Sequence, residues 1–386
     1  MNFFKGIKKN VVVLGVVSFF TDISSEMLYP VIPIFLTTIV GVPMSILGLI
    51  EGIAESTASI LKGFSGWLSD RLRIRRPFVV AGYSLSSLAK PIFFFAYSWP
   101  VVLLARFLDR FGKGLRTSAR DAMISDTTDS AYKGKAFGFH RAMDNFGAFL
   151  GPLLVIWFLA IFKENIRIIF LIAFMPAALA VLTLVIFLKE VPVMGSATAG
   201  GAFSGFQTLS PVFKRFLFAT SIFSIGNSSD AFLLVRSKQL GLSTILVIAA
   251  YVLYNLSHTI LATPFGVLSD RIPRKDVMAI GYGIFALVYT GFAFIRHSQP
   301  VWILFPLYGF YIAMTDGVGK ALVSDMVDKE HVGTALGLYH FVLGIFAFFA
   351  SLIAGLLWTH IGAAAPFIYG ATTAIISCII LLILTF

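Results

Sequence analysis

Charge is scarce in this chain: 13% of its 386 residues are Asp, Glu, Lys or Arg, about half the share that a water-facing surface carries. That shortage excludes a soluble protein of two or three domains, the reading that length alone suggests. Cysteine is nearly missing as well. The single Cys378 lies in the last apolar run; it excludes a disulfide framework and a cysteine metal site, and reads as a packing residue. Strand-type alternation is absent, so a membrane barrel is excluded. There is no nucleophile–base set and no metal-ligand cluster, so neither an enzyme nor a bound cofactor is expected. Gly112-Lys113-Gly114 imitates a phosphate cradle but lies inside an apolar span, without a strand–loop–helix setting. No signalling domain follows the last apolar run, which disfavours a membrane sensor.

What is present is apolar: 58% of the residues, with a mean hydropathy of +0.89. The apolar runs fall at 11–38, 45–69, 77–97, 99–125, 134–162 and 166–188, then at 211–239, 242–269, 276–296, 299–325, 332–359 and 363–386. Each is long enough to cross a bilayer as a helix. The spacing therefore predicts an all-α membrane protein with 12 transmembrane helices in two six-helix halves, residues 1–190 and 211–386. A Gly/Ser/Ala-rich linker at 191–210 joins them. The net charge of +11 is no sign of a nucleic-acid partner, because the basic residues sit in short blocks between spans. Lys5, Lys8 and Lys9, Arg71 to Arg76, Lys133 and Lys135, Lys214 and Arg215, and Arg271 to Lys275 fall in alternate loops, while Thr37–Ser45 and Tyr97–Pro100 carry no charge. Both termini are expected on the cytoplasmic side of the cell's inner membrane. The amino-terminal run has no small-residue cleavage site and continues into Asp22 and Glu26, so it reads as the first helix and not as a signal peptide.

The halves repeat each other. Gly66-Trp67-Leu68-Ser69-Asp70-Arg71 recurs as Gly266-Val267-Leu268-Ser269-Asp270-Arg271. Ser125-Asp126, Asp129, Gly134, Ala136 and Gly138 recur as Ser324-Asp325, Asp328, Gly333, Ala335 and Gly337, and Ser24-Ser25-Glu26 faces Ser228-Ser229-Asp230. On these residues the whole chain resembles the major facilitator superfamily of secondary transporters. The Gly66–Arg76 segment is similar to that superfamily's loop motif between helices two and three. Arg106-Phe107-Leu108-Asp109-Arg110-Phe111-Gly112 resembles its helix-four motif, with Asp109 in place of a Gln and Arg110 in place of a Gly. Gly147-x-x-x-Gly151-Pro152 resembles the motif of proton-coupled exporters, although Leu154 and Val155 stand where further glycines are usual. Tight packing of the fifth span accounts for these glycines equally well.

The polar residues inside the spans carry the chemistry. Asp22 and Glu26 lie one turn apart, as do Glu51 and Glu55; Lys90 interrupts span three; Arg106, Asp109, Arg110, Lys113, Arg116 and Arg120 line span four; His140, Arg141 and Asp144 follow in span five. Charges at that depth cost at least ~2.5 kcal/mol each, so they face protein or a wet cavity and pair. A carboxylate whose partner changes can take up and release a proton. Asp22, Glu26 and Glu55 are the expected proton carriers, with Arg106 tuning one of them, a role that the resemblance also implies. Glu51, Lys90, Arg110, Lys113, Asp144, Asp230 and Asn255 are the expected substrate contacts. Asp70, Arg71 and Arg120, with Asp270 and Arg271, are expected to act as a conformational latch, since a carboxylate at a helix end pairs with a neighbouring Arg and a helix amino end. The resemblance implies alternating access driven by the proton gradient, in a monomer whose partners are protons, the lipid bilayer and a small-molecule substrate. Export of a small organic solute in exchange for protons is the leading expectation. Transport of an organic anion, drawn by Lys90, Arg106, Arg110 and Lys113, is the alternative.

Overall fold

The computed structural model describes residues 6–191, 210–328 and 332–383. Every regular element among them is a helix, as apolar runs of this length require in lipid. Among the described residues, nine helical stretches are long and apolar enough to cross a membrane by themselves. The regions that fall short have a physical reason. Arg76–Phe94 carries Lys90 and a run of serines, Trp99–Thr127 carries a stripe of charges, and the seventh span is broken into two pieces.

The chain divides into two compact units. The first comprises residues 1–32 and 57–202. It holds α1 (Lys9–Leu28), which runs on through α2 (Val31–Ile34) and a π-helical turn (Phe35–Ile39) that enters the second unit. Helix α3 (Met44–Leu72) passes between the units at Ser56/Thr57, and α4 (Arg76–Phe94), α5 (Trp99–Thr127), α6 (Lys133–Ile161) and α7 (Ile166–Phe187) complete the first. Here α1 packs along α6 and α4 along α5. Small residues make both approaches: a Cβ on Gly151 would lie 2.7 Å from Ile23 O, and one on Gly147 would lie 2.5 Å from Phe19 O. Gly112 meets the α4 backbone at Ser86 N in the same way, at 2.9 Å. Helix α6 runs unbroken through Pro152.

The second unit comprises residues 33–56 and 203–386. Its helices are α8 (Pro211–Ser224), α9 (Ala231–Gln239), α10 (Thr244–Ser269), α11 (Arg274–Phe294), α12 (Val301–Asp325), α13 (Val332–His360) and α14 (Ala365–Ile383). Ser210 caps α8 by accepting from Phe213 N at 3.1 Å. The sequence reading placed residues 33–56 with the amino-terminal half, whereas the compact unit takes them with the other. Gly48 and Gly52 let the first turns of α3 lie against the α13 backbone; a Cβ on Gly52 would stand 2.8 Å from Phe348 O. Ser45 N also donates to Thr359 Oγ1 at 3.0 Å. Most of the expected 191–210 linker lies outside the described residues. The seventh span, expected as one helix over 211–239, is interrupted at residues 225–230 between α8 and α9. Gly226 is pressed against Thr373 and Gly370 of α14 there, and Ser229 N is satisfied by Ser351 Oγ at 3.2 Å, outside any helix.

Candidate functional site: a buried charge network and a tyrosine cluster

On α5 the charged positions recur every three or four residues, so they share one face. Arg106, Asp109, Arg110 and Arg116 are buried on it. Lys90 reaches across from α4, 1% exposed, and donates to Asp109 Oδ1 at 2.5 Å. The Asp that replaces the usual Gln of the helix-four motif thus neutralises the lysine that interrupts span three. Ser86 ties the same pair of helices: its hydroxyl donates to Asp109 O at 2.9 Å and accepts from Arg116 Nη1 at 2.7 Å. Arg116 also lies over the Tyr83 ring, 4.4 Å from its centre. The guanidinium groups of Arg106 and Arg110 flank Tyr29, just past α1, at 5.4 and 5.6 Å from the ring centre. Lys113 is exposed.

A second knot lies among α1, α4, α5 and α6. Ser18 Oγ contacts Tyr83 OH at 3.2 Å and His140 Nε2 at 2.9 Å, and accepts from Arg120 Nη1 at 3.2 Å. Arg120 pairs with its neighbour Asp121 at 2.9 Å. On its other side His140 Nδ1 is 3.5 Å from Asp144 Oδ2. Asp22, half-buried on α1, lies within the electrostatic reach of Asp144, Lys113, Glu26 and Arg116. The glycines explain its placement. A Cβ on Gly147 would stand 3.2 Å from Asp22 Cβ, and one on Gly151 would stand 3.0 Å from Glu26 Cβ. The exporter-like glycine pair therefore presses the two α1 carboxylates onto α6. The first unit thus gathers Asp22, Glu26, Lys90, Arg106, Arg110, Lys113, Arg120 and Asp144 from the sequence reading onto four helices.

Glu51 and Glu55 belong to the second unit. Glu51 is wholly buried and accepts from Ser229 Oγ at 3.2 Å, at the break between α8 and α9; Glu55 is half-buried. Asp230 stands at the start of α9 and accepts from Tyr308 OH at 2.7 Å. Asn227 Nδ2 donates to Tyr311 OH at 3.1 Å. Asn255 turns back to Tyr251 O of its own helix at 3.1 Å. Around Asp230 the unit carries a cluster of buried rings, Tyr254, Phe285, Tyr289, Tyr308 and Tyr311, with centroids 3.9 to 6.4 Å apart. Sequence reasoning did not single out Tyr289, Tyr308 or Tyr311. The signal was their spacing: Tyr251/Tyr254 and Tyr308/Tyr311 three apart, and Tyr282/Tyr289 seven apart, each pair on one helical face.

The repeated loop motif closes the same charge triad in each unit. Arg75 ion-pairs with Asp70 and, at 3.3 Å, with Asp126 of α5. Arg274 pairs with Asp270 at 2.8 Å and with Asp325 of α12 at 2.7 Å. Arg71 is exposed and lies over Trp67, 5.3 Å from its ring centre, and Arg271 is exposed. The arginine that binds the motif carboxylate is thus Arg75 or Arg274, four or five residues on. The Asp126/Asp325 match in the repeat was the readable sign of the third member.

Helices of membrane-crossing length, a duplicated charge triad and buried ion pairs define a helical membrane protein that carries charge in its interior. The sequence profile of the Major Facilitator Superfamily matches residues 14–253 and 216–386, and the chain belongs to that family. It is 38% identical over 384 residues to an uncharacterized MFS-type transporter of Methanocaldococcus jannaschii, covering 97% of this chain and 95% of the relative. It is 28% identical over 144 residues, 37% of each chain, to the quinolone resistance protein NorA of Staphylococcus aureus. Among solved structures it is similar in fold to a POT family transporter in complex with 5-aminolevulinic acid. That match has a TM-score of 0.81 at 13% identity and covers 98% of both chains.

Proposed function

We propose that this protein is a proton-coupled exporter of a small organic solute, working by alternating access across the cell membrane with both termini in the cytoplasm. The observation that carries this reading is the α1–α6 seam. Gly147 and Gly151 hold Asp22 and Glu26 against α6, and Asp22 lies within electrostatic reach of Asp144, Lys113 and Arg116, at a depth where an unpaired charge is costly. Carboxylates so placed exchange a proton whenever their surroundings change. The likeness to a quinolone resistance protein favours outward transport. The Arg75 and Arg274 triads hold their loops in one state and release them in the other, which is the latch role expected of Asp70 and Asp270. The proton gradient is the energy source, the transporter acts as a monomer, and no cofactor takes part.

Transport of an organic anion is the second reading, favoured by Arg106 and Arg110, which frame Tyr29 from one face of α5. Lys90 gives it less support than the sequence suggested, because Asp109 already occupies that ammonium. The test is lumenal pH in proteoliposomes while amphiphilic cations, zwitterions and polycarboxylates are added in turn. Proton movement opposite to the solute, lost in Asp22→Asn or Glu55→Gln, supports exchange. Movement together with an anion puts the second reading first. Solute flux with no pH change rules out proton coupling.

A further inference from the structure

The Ser18 knot fixes the direction of its hydrogen bonds. Arg120 is always a donor, so Ser18 Oγ accepts from it at 3.2 Å. His140 Nδ1 faces the Asp144 carboxylate, so a neutral ring carries its proton there and accepts at Nε2; this leaves Tyr83 OH, at 3.2 Å, as the donor to the second lone pair of Ser18. The one hydroxyl proton of Ser18 then points to His140 Nε2 at 2.9 Å. An imidazole that accepts at Nε2 carries its proton on Nδ1 and presents it to Asp144 Oδ2, 3.5 Å away. The chain runs one way, from a guanidinium through a hydroxyl and a neutral imidazole to a carboxylate. It leaves Asp144 Oδ1 over. That atom is buried without a hydrogen-bond partner, on a side chain 9% exposed. A buried acceptor left open costs about 1–3 kcal/mol or more. Asp22 of α1 packs one turn along α6 from it, its Cβ 3.2 Å from where a Cβ on Gly147 would stand, and lies within electrostatic reach of Asp144.

We infer that Asp22 and Asp144 together form a proton-binding site in the first unit, one proton being shared between the two carboxyl groups and His140 holding Asp144 in place. In the loaded site Asp22 carries the O–H bond and donates it to Asp144 Oδ1, so the pair bears a single negative charge. On release that O–H bond breaks, the proton leaves to water, and two carboxylates face each other. The cations within reach of Asp22, Lys113 and Arg116 from α5, favour the empty state. Arg120 and Asp121 from α5, Tyr83 from α4, Arg141 from α6 and Glu26 from α1 complete the titratable surroundings. His140 is a positioning residue that hands the hydrogen-bond direction on to Asp144. The inference deepens the proton-coupled reading and rests on it for its purpose in transport.

The experiment is pH-difference infrared spectroscopy of the purified full chain in lipid nanodiscs, read at the carboxylic-acid carbonyl stretch. A band that titrates as one proton is expected in the native protein, lost in Asp22→Asn and in Asp144→Asn alike, and kept in Glu26→Gln. His140→Gln, whose amide offers the same acceptor and donor, keeps the band and its midpoint; His140→Leu moves the midpoint by about one pH unit or more. Ser18→Ala, which cuts the chain one link earlier without touching a charge, moves it in the same sense as His140→Leu. A band that survives Asp144→Asn unchanged, or two bands titrating independently, overturns the shared proton. A midpoint unmoved in His140→Leu overturns the relay. Exchange of ethidium for protons in proteoliposomes is measured in parallel on the native protein. If the band behaves as stated and no solute or proton flux accompanies it, the transport reading fails and the site stands.

Discussion

At the scale of single residues, the molecule handles charge by pairing it inside the helix bundle. Lys90 and Asp109 are both buried, 2.5 Å apart. Removing one partner leaves the other as an uncompensated charge, whereas removing both restores an apolar seam. Lys90→Met alone should therefore cost about 3–5 kcal/mol and lower the thermal unfolding temperature sharply. The Lys90→Met/Asp109→Leu double variant should recover most of that loss. Unfolding curves in detergent check both, and a double variant no better than the single would mean that the pair is not isolated from its neighbours. The positions of these charges were legible in the sequence, because a charged residue in a 20-residue apolar run has no other explanation. Their pairing was not, since sequence spacing does not say which helix lies opposite. Lys90 read as a substrate contact, and only the α4–α5 approach at Gly112 shows that Asp109 takes it first. Arg75 and Arg274 were similarly hidden by the more conspicuous arginines beside them.

At the scale of elements, close approach decides function as much as charge does. On α6, Gly151 meets Ile23 O of α1, while Gly138 has nothing within 4 Å of the place a Cβ would occupy. Gly151→Ala should separate α1 from α6 and cost about 1–3 kcal/mol, as overpacking does. Gly138→Ala should be neutral or gain about 0.5–1 kcal/mol from lower backbone entropy in the unfolded chain. Thermal unfolding of the two variants side by side separates them, and equal effects would show that the seam is not tight. Helix number, order and repeat were readable because apolar length and punctuation are one-dimensional signals. The break between α8 and α9 was not. Residues 225–230, Ile-Gly-Asn-Ser-Ser-Asp, are polar enough for a turn, but the first span's Ser24-Ser25-Glu26 match stays helical. What separates them is Gly226 wedged against α14, a tertiary fact.

At the scale of the whole molecule, the duplicated triads and the basic loops make one expectation about placement in the membrane. The loop around Arg73 and the loop around Tyr97, both exposed, should lie on opposite faces. In a background where Cys378 is replaced by Ser, Tyr97→Cys should react with an impermeant maleimide added to intact cells. Arg73→Cys should react only after the cells are opened. The reverse pattern would invert the assigned orientation. The division at residues 33–56 is the feature of this scale that composition could not give. It follows from Gly48 and Gly355, which allow α3 and α13 to touch backbone to backbone although some 300 residues of chain separate them.

The interrupted seventh span has a consequence for the order of biosynthesis. Its Ser229 amide is completed by Ser351 on α13, and its Gly226 packs against the Gly370–Thr373 turn of α14, segments that leave the ribosome more than a hundred residues after α9. Until they arrive, α8 and α9 have no way to settle in hydrocarbon as a finished crossing. The break between α8 and α9 is therefore completed late, once α13 and α14 have both followed.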